Sequence, residues 1–276
     1  MSSKENLPFP AQLDALVQSA IEMKVDAVPQ GHWMFYKNGE PRRQIEAFHK
    51  AFKQLRSNID SETATLLDCG SGNGVAATVA RAAEFQCVYG IEKSGQLHQS
   101  ATQRLAKLVK AGIVPDNSVF LSQGSYYDQR LSPTMVDNCV NLTRRLHADA
   151  SPFDPCNKIE FVAALLDVDV GSEDSVEDVV ADYLFTPQRN IVDAIPLTAE
   201  GLLRVDVVYI YPSDLFFEDA FLPQMGRIMQ PGSLLAILNT PHDQVRVSTN
   251  HFEEARPILI QSSESPKTFL QVFRKS

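Results

Sequence analysis

The chain is short of cysteine, of basic charge and of long apolar runs. Its four cysteines, Cys69, Cys87, Cys139 and Cys156, include no Cys-x-x-Cys pair and do not sit in a small secreted domain, which points to reduced thiols in an intracellular compartment. Lys and Arg number 25 against 34 Asp and Glu, a formal net charge of −9. Proteins that grip phosphate backbones do so with cations that displace counterions, so this deficit argues against direct sequence-specific nucleic-acid binding. No apolar run approaches about 18 residues, and Lys4, Glu5, Pro8 and Pro10 stand where a signal peptide would carry its apolar core, so no membrane segment or secretion signal is expected. The six histidines (32, 49, 98, 147, 242 and 251) show no metal-ligand spacing, and no metal is expected. A Gly-x-Ser-x-Gly elbow is also missing, which removes the serine-hydrolase reading.

The remainder is ordinary globular composition, with 44% hydrophobic residues, 13 Gly and 16 Pro in 276 residues. That length fits one α/β domain with embellishments. Residues 1–60 read as two helices joined by an aromatic, Gly/Pro-punctuated loop. Leu13, Leu16, Val17, Ala20 and Ile21 mark the apolar stripe of the first helix, and Ile45, Phe48, Phe52 and Leu55 that of the second. The loop carries Trp33, Phe35, Tyr36, Gly39, Glu40 and Pro41 and should pack on something.

From residue 61 to 276, short apolar runs alternate with helical periodicities, the pattern of a parallel sheet with crossover helices. Strands are expected at 65–68, 86–91, 119–122, 205–211 and 233–238, with a closing antiparallel pair at 257–261 and 268–274. Helices are expected over 73–83, from about Leu97 to Val109, and after Ser213. Residues 127–203 are too long for one connection and read as an insertion. Within it 160–166 has the texture of a strand, and a helix opening near Ser172 places Val176, Val179, Val180, Tyr183 and Leu184 on one face.

The first strand runs into Asp68, Cys69, Gly70, Ser71, Gly72, Asn73 and Gly74. Glycines there let the backbone turn sharply and approach a ligand, while the next helix offers free N–H groups. Glu92 ends the second strand, placed to accept hydrogen bonds from vicinal ribose hydroxyls. The spacing is Gly-x-Gly-x-Gly, not the dinucleotide Gly-x-Gly-x-x-Gly.

This order of glycine loop, acid after strand two, polar residue after strand three and final antiparallel hairpin resembles the class I S-adenosylmethionine-dependent methyltransferases over residues 63–274. The resemblance implies a Rossmann-like, seven-stranded α/β sheet, parallel with a C-terminal antiparallel hairpin, bearing an N-terminal helical lid and the insertion before strand four. It also implies S-adenosylmethionine as cofactor, with Asp68 anchoring the loop and the methionine ammonium, Gly70, Ser71 and Gly72 bordering the ligand, Glu92 holding the ribose, and Ser125 and Tyr126 flanking the adenine.

A narrower likeness rests on residues 66–74, on Tyr89, Gly90, Ile91, Glu92 and Lys93, and on Tyr36, Gly39 and Glu40. These are similar to the disruptor-of-telomeric-silencing histone-lysine methyltransferases, whose Tyr-Gly-Glu loop closes over the methionine half of the cofactor. That likeness implies a protein-lysine N-methyltransferase acting on a nucleosomal histone, hence a basic protein partner, a histone or nucleosome, and a nuclear location. The alternatives are a non-histone protein lysine or a small molecule as acceptor, with the cytoplasm as location, or a cofactor-binding scaffold without catalysis. Three positions depart from the family pattern: Ser125 stands for its acid after strand three, Val75 for its Gln, and Tyr211 for its Asn at the end of strand four.

Methyl transfer from a sulfonium needs positioning and desolvation more than a dedicated base, and an apolar aromatic channel favours a neutral lysine amine. Tyr36 and Tyr211 are the candidate catalytic residues, with Trp33 beside them. Trp33 and Phe35 serve equally well as anchors of the N-terminal helices. Between Asp167 and Asp182 lie seven acids and no Lys or Arg. They are either a solvated helix face or a dock for a basic polypeptide. A calcium loop starting at Asp167 is disfavoured, because Gly171 falls at the fifth position and Asp178 at the twelfth.

Overall fold

The computed structural model describes residues 8–22, 41–149, 158–166, 168–171, 173–186, 189–211, 215–239, 247, 250–260 and 269–276. Strands β1 (Thr65–Cys69), β2 (Cys87–Glu92), β3 (Val119–Gln123), β4 (Val207–Ile210) and β5 (Leu234–Asn239) form where short apolar runs are bounded by Gly, Pro and Asn. They pair parallel in the order β3-β2-β1-β4-β5. On β5, Leu234, Ala236 and Leu238 point into one core and Leu235 and Ile237 into the other, so the strand is buried on both faces, as parallel strands are.

The sheet closes with β8 (Phe269–Lys275), which lies antiparallel between β5 and two short strands. Strand β6 (Phe252–Glu254) pairs with the stretch around Phe273 to Lys275, and β7 (Ile258–Leu259) with Phe269 and Leu270. The expected hairpin corresponds to β7 and β8. Strand β6 was not anticipated, and it brings the sheet to eight strands where seven were expected. The fold class is the expected one: a Rossmann-like α/β sheet, parallel except for its C-terminal antiparallel strand.

One face is covered by α1 (Phe9–Ile21), α2 (Pro41–Arg56), α3 (Val75–Ala82) and α4 (Gly95–Lys110). Helix α2 buries Ile45, Phe48, Phe52 and Leu55 as its spacing predicts, with Ala51 added. Helix α1 is rotated from the expectation. It buries Gln12, Leu13, Leu16, Ser19 and Ala20 and leaves Ile21 43% exposed. Ser19 turns inward because a buried cation meets it there. Arg104 of α4 donates from Nε to Ser19 Oγ (3.0 Å) and from Nη1 to the Gly74 carbonyl (3.0 Å) and Thr78 Oγ1 (2.9 Å).

The other face carries the insertion: α5 (Pro133–Asp149), α6 (Lys158–Leu165), α7 (Val176–Phe185) and the short α8 (Ile191–Ala194), followed after β4 by α9 (Leu222–Ile228). The strand expected at 160–166 is therefore the helix α6, since a short apolar run bounded by loops suits either state and packing decides. Helix α5 was not anticipated. Helix α7 starts at Ser175, not Ser172, because Ser175 and Asp178 form a reciprocal capping box. Ser213, expected to cap the helix after β4, lies outside the described residues, and a π-helical turn at Phe217–Phe221 precedes α9.

Candidate active site

The carboxyl ends of β1, β2, β3 and β4 bring together the residues singled out in the sequence, at the edge where open α/β sheets take their ligands. Asp68 is the penultimate residue of β1 and is 2% exposed. Beyond it the chain turns through Gly70, Gly72 and Gly74, all at positive φ (75°, 54° and 74°), a conformation that L side chains avoid. The turn is pinned to β2: the Gly70 and Ser71 N–H groups both donate to the Ile91 carbonyl, at 2.9 and 3.0 Å.

Glu92, 8% exposed, reaches back from the end of β2. Its Oε2 accepts from the Gly72 N–H at 2.7 Å and its Oε1 from the Ser94 N–H at 2.8 Å. One carboxylate thus fixes the glycine turn and the start of α4 together. Gly90 makes this approach possible, because a Cβ there would lie 2.6 Å from Leu121 Cδ2 and 3.0 Å from Ser71. The sequence reading included Gly90 in a pattern but assigned it no role.

Asp68 is the most perturbed acid of the site. Burial and the neighbouring Glu92 charge push its pKa up to about 8, against a hydrogen bond from the Ala77 backbone in the first turn of α3 that favours the ionised form. Its Oδ2 is buried with no hydrogen-bond partner among the described residues. Burial and the Asp68 charge also raise the Tyr209 phenol and the Cys69 thiol well above their usual ranges. A buried carboxyl held neutral by its surroundings and by a neighbouring carboxylate is suited to a cationic ligand. The face above Gly72 is open, since a Cβ there would meet nothing within 4 Å.

Tyr126, half-buried, sets its ring edge 3.9 Å from where a Gly70 Cβ would be, and it meets Phe221 edge-on at 5.7 Å. It borders the glycine turn. Gln224 of α9, 2% exposed, holds that stretch by donating to the Tyr126 carbonyl (2.8 Å) and accepting from the Asp128 N–H (2.6 Å). Nothing in the sequence signalled this role. Ser125, expected to flank the adenine, has its hydroxyl engaged with the insertion. It is 2% exposed and donates its hydroxyl to the Leu184 carbonyl of α7 at 2.8 Å. Tyr211 follows β4, half-buried against the core beneath α1–α3. Tyr36, Glu40 and Trp33 lie outside the described residues, as do Asp167 and Ser172 of the disfavoured calcium loop.

Three acids of the insertion have local partners. Glu177 pairs with Arg144, Asp178 caps α7 with Ser175, and Asp182 accepts from Thr186 Oγ1.

No protein-family model and no curated protein sequence matches the chain. Similar solved structures include one from Pyrococcus horikoshii assigned as an RNA methyltransferase (10% identity, 96% of this chain and 98% of that one, TM-score 0.45). An rRNA methylase from Streptococcus thermophilus is 11% identical over 82% of this chain and 93% of that one, TM-score 0.39. A precorrin-6y C5,15-methyltransferase from Geobacter metallireducens is 10% identical over 82% and 88%, TM-score 0.39. The expected histone or nucleosome partner is corrected. These structures are described as methylases of RNA or of a precorrin, and Glu177 and Asp178, two of the acids expected to dock a basic polypeptide, are engaged within the fold.

Proposed function

We propose that the chain is an S-adenosylmethionine-dependent methyltransferase with a non-histone acceptor. The observation that carries this is the convergence of two buried carboxylates, Asp68 and Glu92, on the glycine turn between β1 and α3, with Asp68 Oδ2 left without a hydrogen bond. Those residues fit the cofactor's chemistry. Asp68 would accept from the methionine ammonium and offset the sulfonium charge. Glu92, already oriented by two backbone donors, would accept from the ribose hydroxyls, and the open face at Gly72 leaves room for the ligand. When bound, the cofactor supplies an electrophilic methyl group on sulfur.

The protein's own task is then to align and to dry. The Gly70 to Gly74 turn, held by Ile91 and Glu92, is fixed before ligand arrives, so little ordering remains to be done on binding. The Tyr126 ring covers the turn on one side and excludes water there.

Equilibrium binding of S-adenosylhomocysteine, followed by incubation with methyl-labelled cofactor and separated RNA, protein and small-molecule fractions of a cell extract, tests the proposal. Binding with label entering one fraction supports it and names the acceptor class. Binding without transfer to any fraction favours a scaffold, and no binding refutes it.

A further inference from the structure

The end of α7 has two consecutive carbonyls, Tyr183 and Leu184, among the four that a helix cannot satisfy within itself. Both are taken up by side chains from the cofactor edge. Lys93 Nζ donates to the Tyr183 carbonyl at 2.7 Å and sits 3.8 Å above the Tyr183 ring centroid. Ser125 Oγ donates to the Leu184 carbonyl at 2.8 Å and accepts from the Tyr127 N–H at 3.1 Å. A cation at a helix C-terminus is favoured by the helix dipole as well as by the bond.

The contact continues past the helix. The Ser125 N–H donates to the Arg189 carbonyl at 2.9 Å, and Ser125 and Asn190 form a parallel bridge, a one-residue extension of the sheet beside β3. Gly124 is needed for it, since a Cβ there would lie 2.8 Å from the Arg189 oxygen. Lys93 follows Glu92 directly. One strand end therefore points a carboxylate down into the glycine turn and a cation up into the insertion, with a single peptide between them.

We infer that Lys93 and Ser125 are positioning residues that couple the insertion to the cofactor site: they make the end of α7 part of the edge that holds Glu92, so that order in α7 and ligand occupancy at Glu92 reinforce each other. The inference rests on the methyltransferase proposal above. Coupling of this kind is reciprocal, so it reads out from either side. Ligand should order α7, and loosening α7 should weaken ligand binding.

The experiment uses the full chain, S-adenosylhomocysteine as probe, calorimetry for Kd and amide hydrogen exchange over residues 176–185. In the unmodified protein, saturating ligand should slow exchange in α7 about tenfold. Lys93→Met should raise Kd about tenfold and remove that protection, and Lys93→Arg should restore both. A Lys93→Met protein that loses thermal stability but keeps its Kd within about twofold assigns the contact to structure alone and overturns the inference. So does α7 exchange that is the same with and without ligand, a comparison that needs no variant to fold. Failure of the unmodified protein to bind the probe overturns the methyltransferase proposal itself, and this inference with it.

Discussion

Ligand binding at this site should depend on pH through Asp68, and the size of the effect follows from its surroundings. With a pKa of about 8 in the free protein, Asp68 is neutral in roughly ten molecules of eleven at pH 7. A ligand whose ammonium needs the ionised form must first remove that proton, which weakens binding by about 1.4 kcal/mol, or tenfold, for each pH unit below 8. Above about pH 8 an α-amino group begins to lose its own charge, so affinity should peak near there and fall on both sides.

Asp68→Asn cannot ionise. It should lose the acid limb while keeping the alkaline one, with affinity at pH 8 lower by about 10- to 100-fold from the missing charge-assisted hydrogen bond. Calorimetry of S-adenosylhomocysteine between pH 6 and 9 (a range of about one to two units on either side of the Asp68 pKa), in two buffers of different ionisation enthalpy, reads both affinity and proton release. Near pH 7 about one proton should leave per ligand bound. A flat affinity below pH 8 with no proton released would refute the assignment.

Four further expectations can be checked. The folded-state pKa of Asp68 lies above its unfolded value, so the group favours folding most at acid pH, and that contribution is lost as pH rises through about 8. Asp68→Asn should accordingly raise the unfolding free energy from denaturant titration at pH 8 by an amount on the order of a few kcal/mol, with the difference from the parent vanishing toward pH 4; an equal gain at both pH values would point elsewhere. Gly90→Ala drives a methyl group into Leu121 and Ser71 and should cost about 1–3 kcal/mol while weakening ligand binding at least tenfold, measured by urea unfolding and calorimetry. Arg104→Met removes three hydrogen bonds that join α1, α3 and the glycine turn and leaves buried acceptors unpaired, and it should destabilise by at least about 1–3 kcal/mol in the same unfolding assay. Ser175→Ala breaks the α7 capping box for about 1 kcal/mol, whereas Glu177→Gln should leave the unfolding midpoint where it is because its pair with Arg144 is exposed.

The sheet was legible because its signals are local. Runs such as residues 65–69 and 234–238 are short, apolar and bounded by turn formers, and the glycine turn with its two acids follows one backbone geometry. The insertion was legible only at α7, whose apolar face of Val176, Val179, Val180, Tyr183 and Leu184 is the expected one; its other pieces take their state from one another. The run that became α6 carries no caps that distinguish helix from strand, and α5 is a helix of mixed polarity whose buried residues, Cys139, Val140 and Thr143, make a narrow stripe. Ser125 was placed beside the adenine by its distance from strand three, whereas its bonds are set by Leu184 and Arg189, about sixty residues further along. The burial of Ser19 on α1 likewise depends on a cation from α4. No periodicity within α1 encodes it.

The placement of β8 bears on how the chain folds as it is synthesised. Every other strand of the sheet is made before it, yet it belongs between β5 and the pair β6 and β7. Until residues 269–275 emerge, β5, buried along its whole length in the finished protein, presents an unpaired apolar edge, and β6 and β7 have no strand to join. Translation therefore leaves a slot in the growing sheet that only its final strand can fill. The nascent protein should depend on chaperones that shield strand edges until that strand inserts.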